Sequence, residues 1–172
     1  VSFSSKTAAS QLKWMKTHMA SDTCIGAGTI LTRESAKTAV QAGADFVLSP
    51  STNPEVLDYC RGNKIPLLPG VFSPTDVSVC LSYGFHTLKL FPAAEFPLQY
   101  IKNLKGPFPN TEFVAVGGVT PQNASTYLNS GFSGVGIGSS LVNKSLFQEK
   151  NWKQITENIQ MFLNSLNKEN LL

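Results

Sequence analysis

Histidine is nearly absent from this sequence: only His18 and His86 occur in 172 residues. Two are too few for a three-histidine zinc site, so metal-dependent chemistry of that kind is not expected. Cysteine is scarce too. Cys24, Cys60 and Cys80 lie far apart with no CxxC spacing. An odd, unpatterned set reads as reduced thiols of a cytoplasmic protein, buried as small hydrophobes. No apolar run approaches the roughly 18 residues of a membrane span. No signal-peptide pattern opens the chain, and the absent initiator methionine is compatible with a removed leader. Only 15% of residues are charged, the net charge is +3, and the basic residues are scattered. That argues against a dedicated nucleic-acid surface. Phosphate-binding signatures of nucleotide folds are missing as well: "GAGT" does not continue into GxGxxG, and there is no Walker motif.

What is present is a repeat of short apolar runs, each followed by a segment with helical spacing. The runs are "TCIGAGT", "DFVLSPS", "IPLLPGV", "TLKLFPA", "EFVAVGG" and "GVGIGSS". Each is too short for a helix, and each ends in small or turn residues. Asn53-Pro54, Ser73-Pro74 and Thr120-Pro121 put a capping residue before a proline, and Thr32 with Ser35 is expected to open another helix. Gly43, Gly62, Gly84 and Gly131 are expected to end helices. Two flanking helices complete the pattern, over Lys6 to Ala20 and over Trp152 to Leu166. The second carries a stripe of Trp152, Ile155, Ile159, Phe162 and Leu166.

Strands alternating with helices imply an α/β fold with parallel pairing and right-handed crossovers. The glycine-rich ends of the last two strands, "VGGV" and "GIGSS", favour a (β/α)8 barrel over an open doubly wound sheet, because barrels often hold phosphate there. No linker or domain boundary is visible, so residues 1–172 are expected to form a single barrel domain. Only six strands are visible where such a barrel has eight. The first two strands and one helix are therefore expected to be missing from the N-terminal side, leaving the helix over Lys6 to Ala20 without a strand before it.

Lys89 stands out. It lies between Leu88 and Leu90 in "TLKLFPA", and alternation places Thr87, Lys89 and Phe91 on one face of that strand. With the leucines facing outer helices, the lysine points inward. Lost hydration would lower its pKa, and a free amine could attack a ketone to form an iminium. Spacing alone leaves a second reading open, an inward lysine held by a buried carboxylate. Thr29 ends "IGAGT" and offers either a hydroxyl to a ligand or a cap to the next helix. Pro50 and Phe91 read as pocket wall or as packing. Gly117 and Gly118 either expose backbone N–H groups to a ligand or make a tight turn. Ser140, beside Gly138 and Ser139, could open a short helix whose amides attract an anion. His86 falls on the opposite strand face from Lys89 and reads as structural, and Glu95 reads as a solvated loop carboxylate.

From Cys24 to about Val142 the sequence resembles the 2-keto-3-deoxy-6-phosphogluconate (KDPG) aldolases, which overlap with the 4-hydroxy-2-oxoglutarate aldolases. The motifs are "IGAGTIL", "AGADFVLSPSTNPEV", "IPLLPGVFSPTD", "LKLFPA", "GPFPNTEFVAVGGVTPQN" and "GVGIGSSLV", in family order and spacing. The resemblance implies a homotrimeric (β/α)8 barrel and a class I aldolase without cofactor or metal. Such an enzyme cleaves KDPG to pyruvate and glyceraldehyde 3-phosphate, and in some members 4-hydroxy-2-oxoglutarate to pyruvate and glyoxylate. It implies Lys89 as the Schiff-base lysine. Thr29 would contact the pyruvoyl carboxylate, Pro50 and Phe91 would form the pocket wall, and Gly117, Gly118 and Ser140 would hold the phosphate. The family's strand-two glutamate and arginine have no counterpart, since the first glutamate is Glu34 and the first arginine Arg33. The general base is therefore expected to lie outside these residues. The partner is a small phosphorylated 2-keto acid, with no nucleic acid and no membrane. The rival readings are another phosphate-binding barrel, such as a thiamine-phosphate-synthase-like or epimerase-like enzyme, and a degenerate barrel that only binds sugar phosphates.

Overall fold

The structure, a computed structural model, describes residues 1–168. It falls into two compact halves, divided after Phe91.

The first half contains α1 (Ala8–His18), β1 (Gly26–Ala27), α2 (Arg33–Gln41), β2 (Phe46–Leu48), α3 (Pro54–Gly62), β3 (Leu67–Leu68), β4 (Gly70–Val71), α4 (Pro74–Ser82) and β5 (Thr87–Leu90). β1, β2 and β3 form a parallel sheet, with Ala27 opposite Val47 and Val47 opposite Leu67. β4 pairs in parallel with β5, Gly70 opposite Lys89. β3 and β4 are one expected run, "LLPGV", divided at Pro69. Proline has no N–H for a ladder, and its carbonyl accepts from the Lys89 N–H at 2.8 Å. The run thus exchanges β2 for β5 as its partner. Val47, Val56, Leu57, Cys60, Val77, Cys80, Leu88 and Leu90 make the core, all buried.

Helix starts follow the local chemistry. Thr32 and Ser35 cap α2 reciprocally, Ser73 and Asp76 do the same for α4, and Asn53 accepts from the Glu55 N–H with Pro54 at the first helical position. Gly43 and Gly84 end their helices with positive φ. Gly62 does not; it is the last residue of α3, and Lys64 takes the left-handed conformation instead, at φ 54°. Ahead of α1 there is a bridge in place of a strand. Val1 to Phe3 runs parallel to the end of β1, with Gly28 N–H donating to Val1 O and Phe3 N–H to Gly28 O, both at 2.8 Å. α1 is thus preceded by one isolated bridge and, among the described residues, by no strand.

The second half begins with a 3-10 turn (Ala93–Glu95), followed by α5 (Gln99–Lys105), β6 (Glu112–Val116), α6 (Ala124–Asn129), β7 (Gly134–Gly136), α7 (Lys144–Gln148) and α8 (Trp152–Lys168). β6 and β7 are parallel, Ala115 opposite Val135. Ile101, Leu104, Phe113, Ala115, Ala124, Phe132, Ile155 and Leu166 are its core. Two expectations change here. Thr120-Pro121 does not start a helix. The Thr120 N–H donates to Asn123 Oδ1 at 2.8 Å and the Asn123 N–H to Thr120 Oγ1 at 3.3 Å, closing a turn before α6 opens at Ala124. Trp152 leaves the α8 stripe; it is exposed and packs edge-to-face on Phe147 at 5.4 Å.

Both halves place helices between parallel strands, and all six expected strands are present, one of them divided. Among the described residues neither half closes its own strands into a ring.

Candidate active site

Lys89 is 7% exposed, flanked by the buried Leu88 and Leu90. Its Nζ lies 4.3 Å from the centroid of the Phe91 ring, two residues along the same face. No carboxylate pairs with it among the described residues. The buried ion pair left open by spacing is therefore not the arrangement here. Burial pushes the Lys89 amine below the ordinary lysine range. Desolvation penalises the ammonium more than the neutral amine, so more nucleophile is present at neutral pH than on an exposed lysine.

Thr29 follows β1 with φ 62°, a conformation that is rare for a β-branched residue. It does not cap α2, which Thr32 caps. Its hydroxyl is 3.0 Å from that of Ser2, which in turn is 2.7 Å from the Ser4 hydroxyl. Pro50 follows β2, so Thr29 and Pro50 leave neighbouring parallel strands at the same end of the sheet. Pro50 crosses directly over Gly70, the residue opposite Lys89. A Cβ on Gly70 would overlap the Pro50 carbonyl. Lys89, Phe91 and Pro50 are thereby gathered around one point of the β4–β5 ladder. Ser2, Ser49, Thr52 and Gly70 were not singled out from sequence. The hydroxyls bracketing Pro50 in "LSPST" were the available signal.

In the second half Gly117 and Gly118 both have positive φ, 91° and 77°. The Ala94 N–H donates to Gly117 O at 3.1 Å, and a Cβ on Gly118 would overlap the Ala94 methyl. Asn123 Nδ2 donates to Gly118 O at 3.1 Å. Ser140 does not open a helix. It sits in a turn, and the next helix, α7, starts at Lys144 under an Asn143 cap. Its Oγ donates to Val119 O at 2.8 Å, tying the loop after β7 to the loop after β6. Beside it is a cavity of about 520 Å³ whose lining includes Gln122, Ser139, Ser140, Asn143 and Lys144. Hydroxyls, amides and one ammonium suit an anion. A second cavity, about 350 Å³, is lined mainly by apolar side chains including Leu128, Val135, Ile137, Phe162 and Leu166.

His18 is exposed and stacked on Trp14 at 4.2 Å, and His86 is exposed. No cluster able to hold a metal ion occurs among the described residues. Glu95 is an exposed carboxylate in the 3-10 turn. Cys60 and Cys80 are free and buried, their thiols pushed up to about 11 by desolvation, while Cys24 is free and exposed.

The profile of the family described as "Aldolase: KDPG and KHG aldolase" matches residues 1–158. A 2-dehydro-3-deoxy-phosphogluconate aldolase of Haemophilus influenzae is 34% identical over 156 residues, 90% of this chain and 73% of that protein. A 2-dehydro-3-deoxy-6-phosphogalactonate aldolase of Escherichia coli is 37% identical over 118 residues, 68% of this chain and 58% of that protein. Among solved structures, a KDPG aldolase from Legionella pneumophila, with pyruvate captured as a covalent carbinolamine, superposes with a TM-score of 0.87 at 32% identity. That match covers 94% of this chain and 79% of the other. This α/β chain has the TIM-barrel-like fold of these aldolases.

Proposed function

Because the chain belongs to the KDPG and KHG aldolase family, a family of carbon–carbon lyases, we propose that it is a Schiff-base aldolase chain acting on a phosphorylated 2-keto acid. The observation that carries this is Lys89: a buried lysine without an ion-pair partner among the described residues, with its amine pushed toward the neutral form. The covalent carbinolamine named for the Legionella relative supports the same chemistry.

The steps follow from the amine. Lys89 Nζ attacks the C2 ketone of the substrate and forms a carbinolamine, which loses water to give an iminium. A general base removes the C4 hydroxyl proton, the C3–C4 bond breaks, and its electron pair moves to the iminium as an enamine. An aldehyde leaves. Protonation at C3 and hydrolysis return pyruvate and the free amine. The Phe91 ring lies under the nitrogen and attracts it while it is cationic. Thr29 offers its hydroxyl to the substrate carboxylate. Pro50 forms wall beside the amine. Gly117, Gly118 and Ser140, with the adjoining polar cavity, offer a place for the phosphate.

The preferred substrate is KDPG, cleaved to pyruvate and glyceraldehyde 3-phosphate, with 4-hydroxy-2-oxoglutarate as a second substrate. The galactonate-type relative makes the C4 epimer the competitor to test. A homotrimer and a cytoplasmic location follow the family resemblance and the unpaired cysteines; no described helix is long and apolar enough to cross a membrane.

Borohydride reduction in the presence of pyruvate, followed by peptide mass mapping, tests the mechanism. The expected result is a reduced pyruvate adduct on Lys89. An unmodified Lys89, or activity lost on chelation, overturns it. Comparing kcat/KM for the gluconate, galactonate and oxoglutarate substrates tests the preference.

A further inference from the structure

The segment "LSPST", Leu48 to Thr52, carries more polar machinery than a pocket wall needs. Ser49 is 1% exposed. Its Oγ donates to Ser51 O at 2.8 Å and accepts from the Gly70 N–H at 3.3 Å. Thr52 Oγ1 donates to Gly70 O at 2.8 Å. Both backbone groups of Gly70 are therefore held by hydroxyls of one loop. That loop lies so close that Gly70 has no room for a Cβ beneath Pro50. Gly70 is the β4 residue directly opposite Lys89. The clamp extends one step further, since the Cys80 Sγ lies 3.7 Å from Thr52 Oγ1. With its only proton given to Gly70 O, the Thr52 oxygen is left to accept from the protonated thiol.

We propose that Ser49 and Thr52 are positioning residues for Lys89, seating the Pro50–Ser51 backbone on Gly70 so that water stays excluded from the amine. The proposal rests on the reading of Lys89 as the Schiff-base lysine. It adds to that reading the devices that keep the amine dry. Each hydroxyl is buried or partly buried and spent on backbone, so neither needs to touch substrate. Ionisable neighbours do not account for the state of the amine. β3, β4 and the Ser49–Asn53 loop carry none. On α4, Asp76 is bound by Ser73 and Cys80 stays protonated, its thiol pushed up to about 11. His86, at the foot of β5, is exposed. Burial is the cause that lowers the Lys89 amine.

Thr52→Val and Ser49→Ala remove the hydroxyls, and Thr52→Ser keeps one. Two readouts are taken across pH 6 to 10.5 on the purified chain: the rate of pyruvate trapping by borohydride, and trace acetylation of Lys89 by acetic anhydride, mapped by mass. A rehydrated amine holds its proton more tightly. Thr52→Val and Ser49→Ala should therefore be trapped and acetylated about tenfold more slowly at pH 7, converging on the wild type above about pH 10. Thr52→Ser should follow the wild type. Slowing by the same factor at every pH, or no slowing, overturns the proposal; should one variant not fold, the other carries the test. If the wild type traps no pyruvate while acetylation shows the expected pattern, the Schiff-base reading fails and the clamp stands as a determinant of the amine. If trapping succeeds and the profiles coincide, the clamp fails and the Schiff-base reading stands.

Discussion

The Nζ of Lys89 stands 4.3 Å from the centre of the Phe91 ring. Strand alternation puts the two on one face, and two opposed effects meet at the nitrogen. Burial disfavours the ammonium, while the negative face of the ring favours it. Replacing Phe91 by Leu removes the attraction of the ring face while keeping an apolar side chain beside the amine. The amine should then be freer at neutral pH, and pyruvate trapping at pH 7 should be faster than in the wild type, opposite in sign to Thr52→Val. The measurement is the trapping rate across pH; a slower rate at pH 7 with an unchanged alkaline limit would contradict it.

Lys89→Met should lose the pyruvate adduct entirely and yet fold. The sign of its stability effect follows from the lowered pKa of the folded lysine. Between the folded value and the unfolded value of about 10.4 the unfolded chain binds more protons, so wild-type stability rises with pH in that window. At neutral pH the variant should melt at or above the wild-type temperature, and the difference should shift in favour of the wild type as pH approaches 10. Thermal melts of both proteins at several pH values check this.

Gly118→Ala combines two faults, a φ of 77° and an overlap with the Ala94 methyl. Its cost should be about 1–3 kcal/mol. Adding Ala94→Gly should recover the overlap but not the conformational part, giving a non-additive double-mutant cycle measurable by urea unfolding. If these turns hold phosphate, the single variant should raise KM for a phosphorylated substrate more than for pyruvate in the reverse reaction.

Thr111 is buried, and its Oγ1 has no hydrogen-bond partner among the described residues. Thr111→Val keeps the shape and removes an orphaned hydroxyl. It should stabilise by about 1 kcal/mol, raising Tm by about 3 °C.

Asp45 accepts from the Ile25 N–H at 2.7 Å and from Lys16 Nζ at 2.8 Å. These hold its carboxyl below the usual range, the Ile25 N–H contributing most. The stability it contributes is present above the unfolded value of about 3.9 and is lost as pH falls through the lower folded value. Asp45→Asn should therefore melt below the wild type at pH 7, and the gap should narrow as pH falls below about 3.9.

Local chemistry made much of this molecule legible from the sequence. Asn53-Pro54, Thr32 with Ser35 and Ser73 with Asp76 satisfy orphan N–H groups within three residues, so their helix starts needed no tertiary information. The six apolar runs became strands, and the alternation around Lys89 placed it with Phe91, because a strand's period is a property of the backbone. What depended on neighbours distant in sequence was decided only by the tertiary structure. Spacing could not say whether a carboxylate meets Lys89, because an ion partner can come from any element. Thr29 left a cap open as a second reading, and its bond to Ser2 forms only where Val1 to Phe3 lies along β1. Thr120-Pro121 carried a helix-start signal, yet Asn123 closed a turn on Thr120 first. Ser49 and Thr52 were ordinary loop residues until β2 and β4 came together and left no room at Gly70 for anything but hydrogen. Short-range hydrogen bonding and periodicity act along the chain, whereas burial, desolvation and close approach act through space; the chemistry of Lys89 belongs to the second set.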